Sequence, residues 1–316
     1  MTLPDPAGSR AILIGVHSAS DGLGMGELPA VKRNLAAMRS LLTDGTVWAL
    51  PDEHCVSIRE PAYPHEVLEE VERVAGEATD TLLLYFAGHG LLVGQSQELH
   101  LALSGVRWED DCLSYDKLRN RLRTAGRRAR RTVVILDCCY SGEALNGEMG
   151  AGTPPDQAEL DALVASKAEI EGVCVLTASA ATRKALSPVG EEYSVFTGEL
   201  MHVLRDGVED VGEFLDMASV YKAVTARLAE RAGMPVPQFG TRGLGAEIVF
   251  SSNRAHRALA VARGPVGDSP TAVVVVAPDH GLPPVIATYK GVEIRDPRLA
   301  LQFLRTLKYD EGDPDA

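Results

Sequence analysis

The chain has 316 residues, 45% of them hydrophobic and 24% charged, with a mean hydropathy of −0.01, which is enough apolar material for one sizeable core and a small appendage. Acidic residues outnumber basic ones 44 to 31, giving a net charge of −13 that argues against nucleic acid or anionic lipid as partners. No run approaches the ~20 apolar residues of a membrane span, and Met1-Thr2-Leu3-Pro4-Asp5-Pro6 lacks the basic-then-apolar pattern of a signal peptide, so the expectation is a cytoplasmic protein with no membrane attachment.

In chain order, residues 11–16 predict a short central strand and 28–42 the helix of a β–loop–α unit. The alternation continues with a strand at 55–58, a helix over 65–75, a strand at 81–86, a helix around 115–123 and a strand at 132–136. After a Gly/Pro-containing stretch from 142 to 155 come a polar helix near 157–169, a strand at 173–177, helices over 194–204 and 213–232, and a strand near 246–250. Strands alternating with helices predict an α/β domain over 8–252 with a mostly parallel, doubly covered sheet of about six strands. The segment 143–171 offers few strong apolar contacts and reads as a linker. Residues 253–316 read as an accessory segment, with strands at 271–277 and 285–289, a helix at 297–307 and a disordered acidic tail from 309.

Two of these strands run into reactive chemistry. Leu82-Leu83-Leu84-Tyr85-Phe86 leads to Ala87-Gly88-His89-Gly90, and Thr132-Val133-Val134-Ile135-Leu136 leads to Asp137-Cys138-Cys139-Tyr140-Ser141-Gly142. In parallel sheets functional groups gather beyond the carboxyl ends of the strands, where His89 and Cys139 both fall. A free thiol of pKa ~8.5 is only a few per cent thiolate at neutral pH, so a cysteine nucleophile needs a neighbouring histidine or an electropositive setting. The backbone amides of Gly90 and Cys139 are the natural donors to an oxyanion.

The remaining features read more plainly. Five cysteines without C-x-x-C spacing predict neither a disulfide framework nor a zinc site, and no metal or cofactor is expected. Cys174 reads as a small buried hydrophobe, and Cys55 and Cys112 carry no catalytic signature. Seven arginines from Arg119 to Arg131 read either as a docking patch or, preferably, as a solvated helix end favoured by the helix dipole. Gly22-Leu23-Gly24-Met25-Gly26 follows a strand, but a dinucleotide fingerprint would need glycine at Glu27, whose charge opposes a pyrophosphate. There is no Walker A motif and no G-x-S-x-G elbow.

The His89 and Cys139 blocks resemble the histidine and cysteine motifs of the caspase-like peptidases, in particular the metacaspase-like and bacterial caspase-domain branch. Leu28-Pro29-Ala30-Val31, Leu176-Thr177-Ala178-Ser179 and Phe196-Thr197-Gly198 are similar to further blocks of that branch, and the resemblance covers residues 10 to 255. It implies a caspase-like three-layer sandwich and a cysteine endopeptidase acting through a Cys–His dyad and a thioacyl intermediate. Within Asp-x-Cys-x-x-Gly it selects Cys139 over Cys138 as nucleophile. Aspartate-cutting caspases carry an arginine and a glutamine at positions that align here with Leu28 and Asp137. A carboxylate at Asp137, with Ser179 beside it, therefore implies a pocket for Arg or Lys at P1. The second acid usual in metacaspases is replaced by Ala180, Ala181 and Thr182, and Asp137 capping local amides is the alternative. The resemblance also implies a protein substrate, an activating partner protein, and a role in bacterial stress or antiphage signalling. The contrasting reading is a caspase-like scaffold that works by protein association.

Overall fold

The computed structural model describes residues 2–18, 23–45, 47–94, 98–140, 173–178, 191–231, 237–241, 244–256, 287–289 and 292–294. In chain order the elements are β1 (Arg10–Gly15), α1 (Pro29–Thr43), β2 (Cys55–Arg59), α2 (Pro64–Glu77), β3 (Thr81–Val93), β4 (Glu98–Leu101), β5 (Leu113–Ser114), α3 (Tyr115–Ala125), β6 (Arg131–Tyr140), β7 (Val173–Thr177), α4 (Val195–Asp206), β8 (Phe214–Asp216), α5 (Met217–Ala229), β9 (Gln238–Thr241), β10 (Val249–Ser252), β11 (Ala287–Tyr289) and β12 (Val292–Ile294). Residues 1–256 form one compact unit and 257–316 a second.

The main sheet runs β2-β1-β3-β6-β7-β9, with β4 and β5 attached beyond β3. The first five strands of this path are parallel and β9 is antiparallel to β7. Covering on both faces explains why the strands read as unbroken apolar runs rather than alternating ones. One face packs Leu13, Leu83, Tyr85, Val133 and Ile135 against α1, α4 and α5. The other packs Ile12, Leu84, Phe86, Val134 and Leu136 against α2 and α3. The result is the three-layer α/β sandwich expected from the sequence.

Local chemistry sets the helix starts. Pro29 and Pro64 stand in the first turns of α1 and α2, where no backbone N–H is required. Ser114 caps α3 by accepting from Lys117 N, and Asp216 caps α5 by accepting from Ser219 N at 2.8 Å. Gly15 lets α1 lie directly on β1, because a Cβ there would meet Leu35 Cδ1 at 2.4 Å.

Several expectations are corrected. β3 and β6 do not stop at 86 and 136. β3 continues through His89 because β6 pairs with it as far as Gly90 and β4 pairs with it from Gly90 to Val93. The β4–β5 hairpin and β9 were not anticipated, being short strands with little alternation. The helix expected over 213–232 begins only at Met217, since residues 214–216 pair with β10 in a separate two-stranded sheet. The strand near 246–250 accordingly lies outside the main sheet. In the second unit, β11 and β12 form an antiparallel hairpin with Tyr289 opposite Val292. The linker 143–171, its polar helix, the strand at 271–277, the helix at 297–307 and the acidic tail lie outside the described residues.

Candidate active site

Along the main sheet, β1 connects through α1 to β2 on one side, while β3, β6 and β7 lie on the other. The strand order therefore reverses between β1 and β3, and ligands of open α/β sheets bind in the crevice beyond the carboxyl ends at such a reversal. His89 stands on β3 at this edge, 3% exposed. Its Nε2 lies 2.8 Å from the carbonyl of Gly26, in the loop after β1. A carbonyl can only accept, so Nε2 carries the proton, and in the neutral ring Nδ1 is the basic nitrogen.

Cys139 on β6 is the register partner of His89 on β3, which sets the two backbones one strand spacing apart, about 4.8 Å. Gly90 is in register with Tyr140 on one strand and Leu101 on another. Cys138 is 2% exposed and packs in the core under α2 and α3. Cys55, Cys112 and Cys174 are also buried and unbridged. Burial pushes the thiol of Cys55 up to about 11 and that of Cys112 to about 12, and raises Cys174 further, the condition of inert structural cysteines.

Asp137 faces the opposite side of the sheet from Cys138 and is 1% exposed. Its Oδ2 accepts from Asn34 Nδ2 at 3.3 Å and from the hydroxyls of Ser194 and Thr197. Tyr85 OH lies 2.7 Å from Thr197 Oγ1; because Thr197 gives its proton to Asp137, Tyr85 is the donor there. Asn34 also donates to Ser194 Oγ at 2.7 Å and accepts from Ser194 N at 3.1 Å. The second carboxylate oxygen, Oδ1, is buried and has no hydrogen-bond partner among the described residues. Burial raises the Asp137 pKa, and the bonds from Ser194 and Thr197 oppose that shift.

Ser179 lies outside the described residues. Leu28 is the N-cap of α1 and belongs to the core under that helix. Among the described residues no group of three or more His, Cys, Asp or Glu is arranged to hold a metal ion, and no helix is long and apolar enough to cross a membrane. In the arginine cluster Arg123, Arg127, Arg128 and Arg130 are exposed, and the other three form ion pairs. Arg131 pairs with the buried Asp80 at 2.6 Å, Arg119 with Asp116 at 3.2 Å, and Arg121 with Glu72.

Sequence reasoning missed Gly26, Asn34, Ser194 and Thr197. A backbone carbonyl such as that of Gly26 leaves no side-chain signature. Asn34, Ser194 and Thr197 meet Asp137 only through the packing of α1 and α4 on one face of the sheet.

Among curated proteins none matches the chain. The family model described as the caspase domain, peptidase family C14, matches residues 9–247, a span that contains both the His89 and the Cys139 strands. The chain belongs to the caspase-domain family of cysteine peptidases.

Proposed function

We propose that the protein is a cysteine endopeptidase in which Cys139 is the nucleophile and His89 its base. The observation that carries this reading is the pairing of His89 with Cys139 across β3 and β6, together with the Gly26 carbonyl that leaves Nδ1 as the basic nitrogen. Nδ1 takes the thiol proton as sulfur bonds to the scissile carbonyl carbon, with the oxyanion received by the amides of Gly90 and Cys139. The amine leaves with the proton from His89; water then attacks the thioester as His89 again accepts a proton, and the C–S bond breaks to release the acid, the proton returning from His89 to the Cys139 thiolate.

The substrate side chain at P1 is Arg or Lys. Asp137 supports this choice: it is a buried carboxylate with all its donors on Oδ2, a bare Oδ1, and no cationic partner among the described residues. An unpaired buried charge is costly, and a guanidinium or ammonium supplies both the missing charge and the missing hydrogen bond. Ser179 is assigned to the same pocket on family likeness. That likeness also supports a protein substrate, an activating partner and a setting in bacterial stress or antiphage signalling.

Hydrolysis of peptides with Arg, Lys, Asp or Leu at P1 tests the proposal. Arg and Lys peptides should be cut fastest, Cys139→Ala should abolish cleavage, and Cys138→Ala should retain it. Cleavage surviving in Cys139→Ala would overturn the assignment, and a wild type cutting none of the peptides would favour a scaffold.

A further inference from the structure

Ser194 stands at the N-cap of α4 yet makes no capping bond to its own helix. A serine in that position normally accepts from a backbone N–H of the first turn, a contribution of about 1 kcal/mol. Here its proton goes to Asp137 on β6, and Thr197, in the same first turn, also donates to Asp137. Asn34 of α1 supplies the third donor. Two helices thus converge on one carboxylate oxygen.

The proton accounting is closed. Thr197 has one hydroxyl proton, which goes to Asp137, so it accepts from Tyr85. Ser194 has one, also committed to Asp137, so it accepts from Asn34. Asn34 Oδ1 in turn accepts the Ser194 backbone N–H. Among the described residues every hydrogen bond to the carboxylate is made to Oδ2, and none reaches Oδ1. The first turn of α4 contains no acidic residue of its own, so the positive end of the helix dipole also favours negative charge at Asp137.

We propose that Asn34, Ser194 and Thr197 are positioning residues for P1 selectivity, which hold the Asp137 carboxyl group turned so that Oδ1 alone is left for a cationic P1 side chain. This rests on the basic-P1 reading above. Without the clamp, Asp137 can rotate, and that change removes the acceptor that a P1 guanidinium needs. Tyr85 acts one step back, by fixing the direction of the Thr197 hydroxyl.

The test uses the full chain and two fluorogenic peptides that differ only in Arg or Leu at P1. The quantity read is the ratio of their kcat/KM values within one preparation, so a smaller folded fraction cancels. Asp137→Ala should bring the ratio close to one. Ser194→Ala and Thr197→Val should each lower it about tenfold, the equivalent of about 1.4 kcal/mol of hydrogen bonding, mainly through KM for the Arg peptide. Thr197→Ser, which keeps the hydroxyl, should restore it. Tyr85→Phe, which leaves the packing in place, should lower it about threefold. If Asp137→Ala removes the preference while Ser194→Ala, Thr197→Val and Tyr85→Phe keep the wild-type ratio, the clamp is wrong and the basic-P1 reading stands. If Asp137→Ala keeps the wild-type ratio, the basic-P1 reading fails and the clamp with it.

Discussion

The hydroxyl of Ser194, at the start of α4, donates to the carboxylate of Asp137 on β6 and accepts no capping bond from its own helix. This one bond ties the strand that carries Cys139 to a helix that follows it by more than fifty residues. It also places an acid in a desolvated position between two layers of the fold.

The buried acid has a consequence for stability. Burial raises the Asp137 pKa above its ordinary 3.8 despite the opposing bonds from Ser194 and Thr197. An acid shifted upward contributes its full stability below the unfolded value and loses it as pH rises through the folded value. Tyr85, the other titratable group of the network, has its hydroxyl pushed well up by burial and the neighbouring Asp137 and stays neutral. Asp137→Asn should therefore gain stability relative to wild type as pH rises from about 4 upward. Denaturant unfolding at a series of pH values measures this, and a difference independent of pH contradicts it.

Asp80 has the opposite sign. Burial raises its pKa, but the Arg131 guanidinium, at 2.6 and 2.8 Å, and the Asp5 N–H, at 2.8 Å, outweigh burial and leave it lowered. Its stability is present above the unfolded value and is lost as pH falls through the folded one. Asp80→Asn should destabilise the protein by about 1.5–3 kcal/mol near pH 7, with the gap closing below about pH 4. An undiminished gap in acid would count against this pairing.

The five cysteines should separate by reactivity. Cys55, Cys112 and Cys174 are buried with raised pKa values, and Cys138 sits in the core. Iodoacetamide at neutral pH, followed by peptide mass mapping, should label Cys139 in the folded protein and spare the other four. Preferential labelling of Cys138 would reverse the assignment of the nucleophile.

Two glycines should respond oppositely to a methyl group. Gly15→Ala drives a Cβ against the buried Leu35 of α1 and should destabilise by about 1–3 kcal/mol. Gly76→Ala lies within α2 with nothing inside 4 Å of the added carbon, and should stabilise by up to about 1 kcal/mol. Thermal unfolding of the two variants distinguishes them.

Much of this was legible in the sequence because parallel strands covered on both faces must be apolar at every position. Residues 11–16, 81–86, 132–136 and 173–177 therefore stand out, and the residues that follow them fall at the carboxyl edge. His89 and Cys139 were found in this way, from runs that lead into Gly-His-Gly and Asp-Cys-Cys. Their strands proved longer than predicted, since Gly88 and Gly90 read as strand breakers while β6 and β4 supply ladder partners on either side. β9, at the sheet edge, has four half-exposed residues and no periodic signal. The Asp137 clamp was not legible, because Asn34 and Ser194 are 160 residues apart in the chain and only the packing of α1 beside α4 joins them.

The central claim is that His89 activates the thiol of Cys139. The rate of Cys139 alkylation as a function of pH, compared between wild type and His89→Ala, tests it most directly. The account predicts a wild-type rate that stays high well below the ordinary thiol pKa of ~8.5, and a His89→Ala profile that falls back to that value. Superimposable profiles for the two proteins would contradict it.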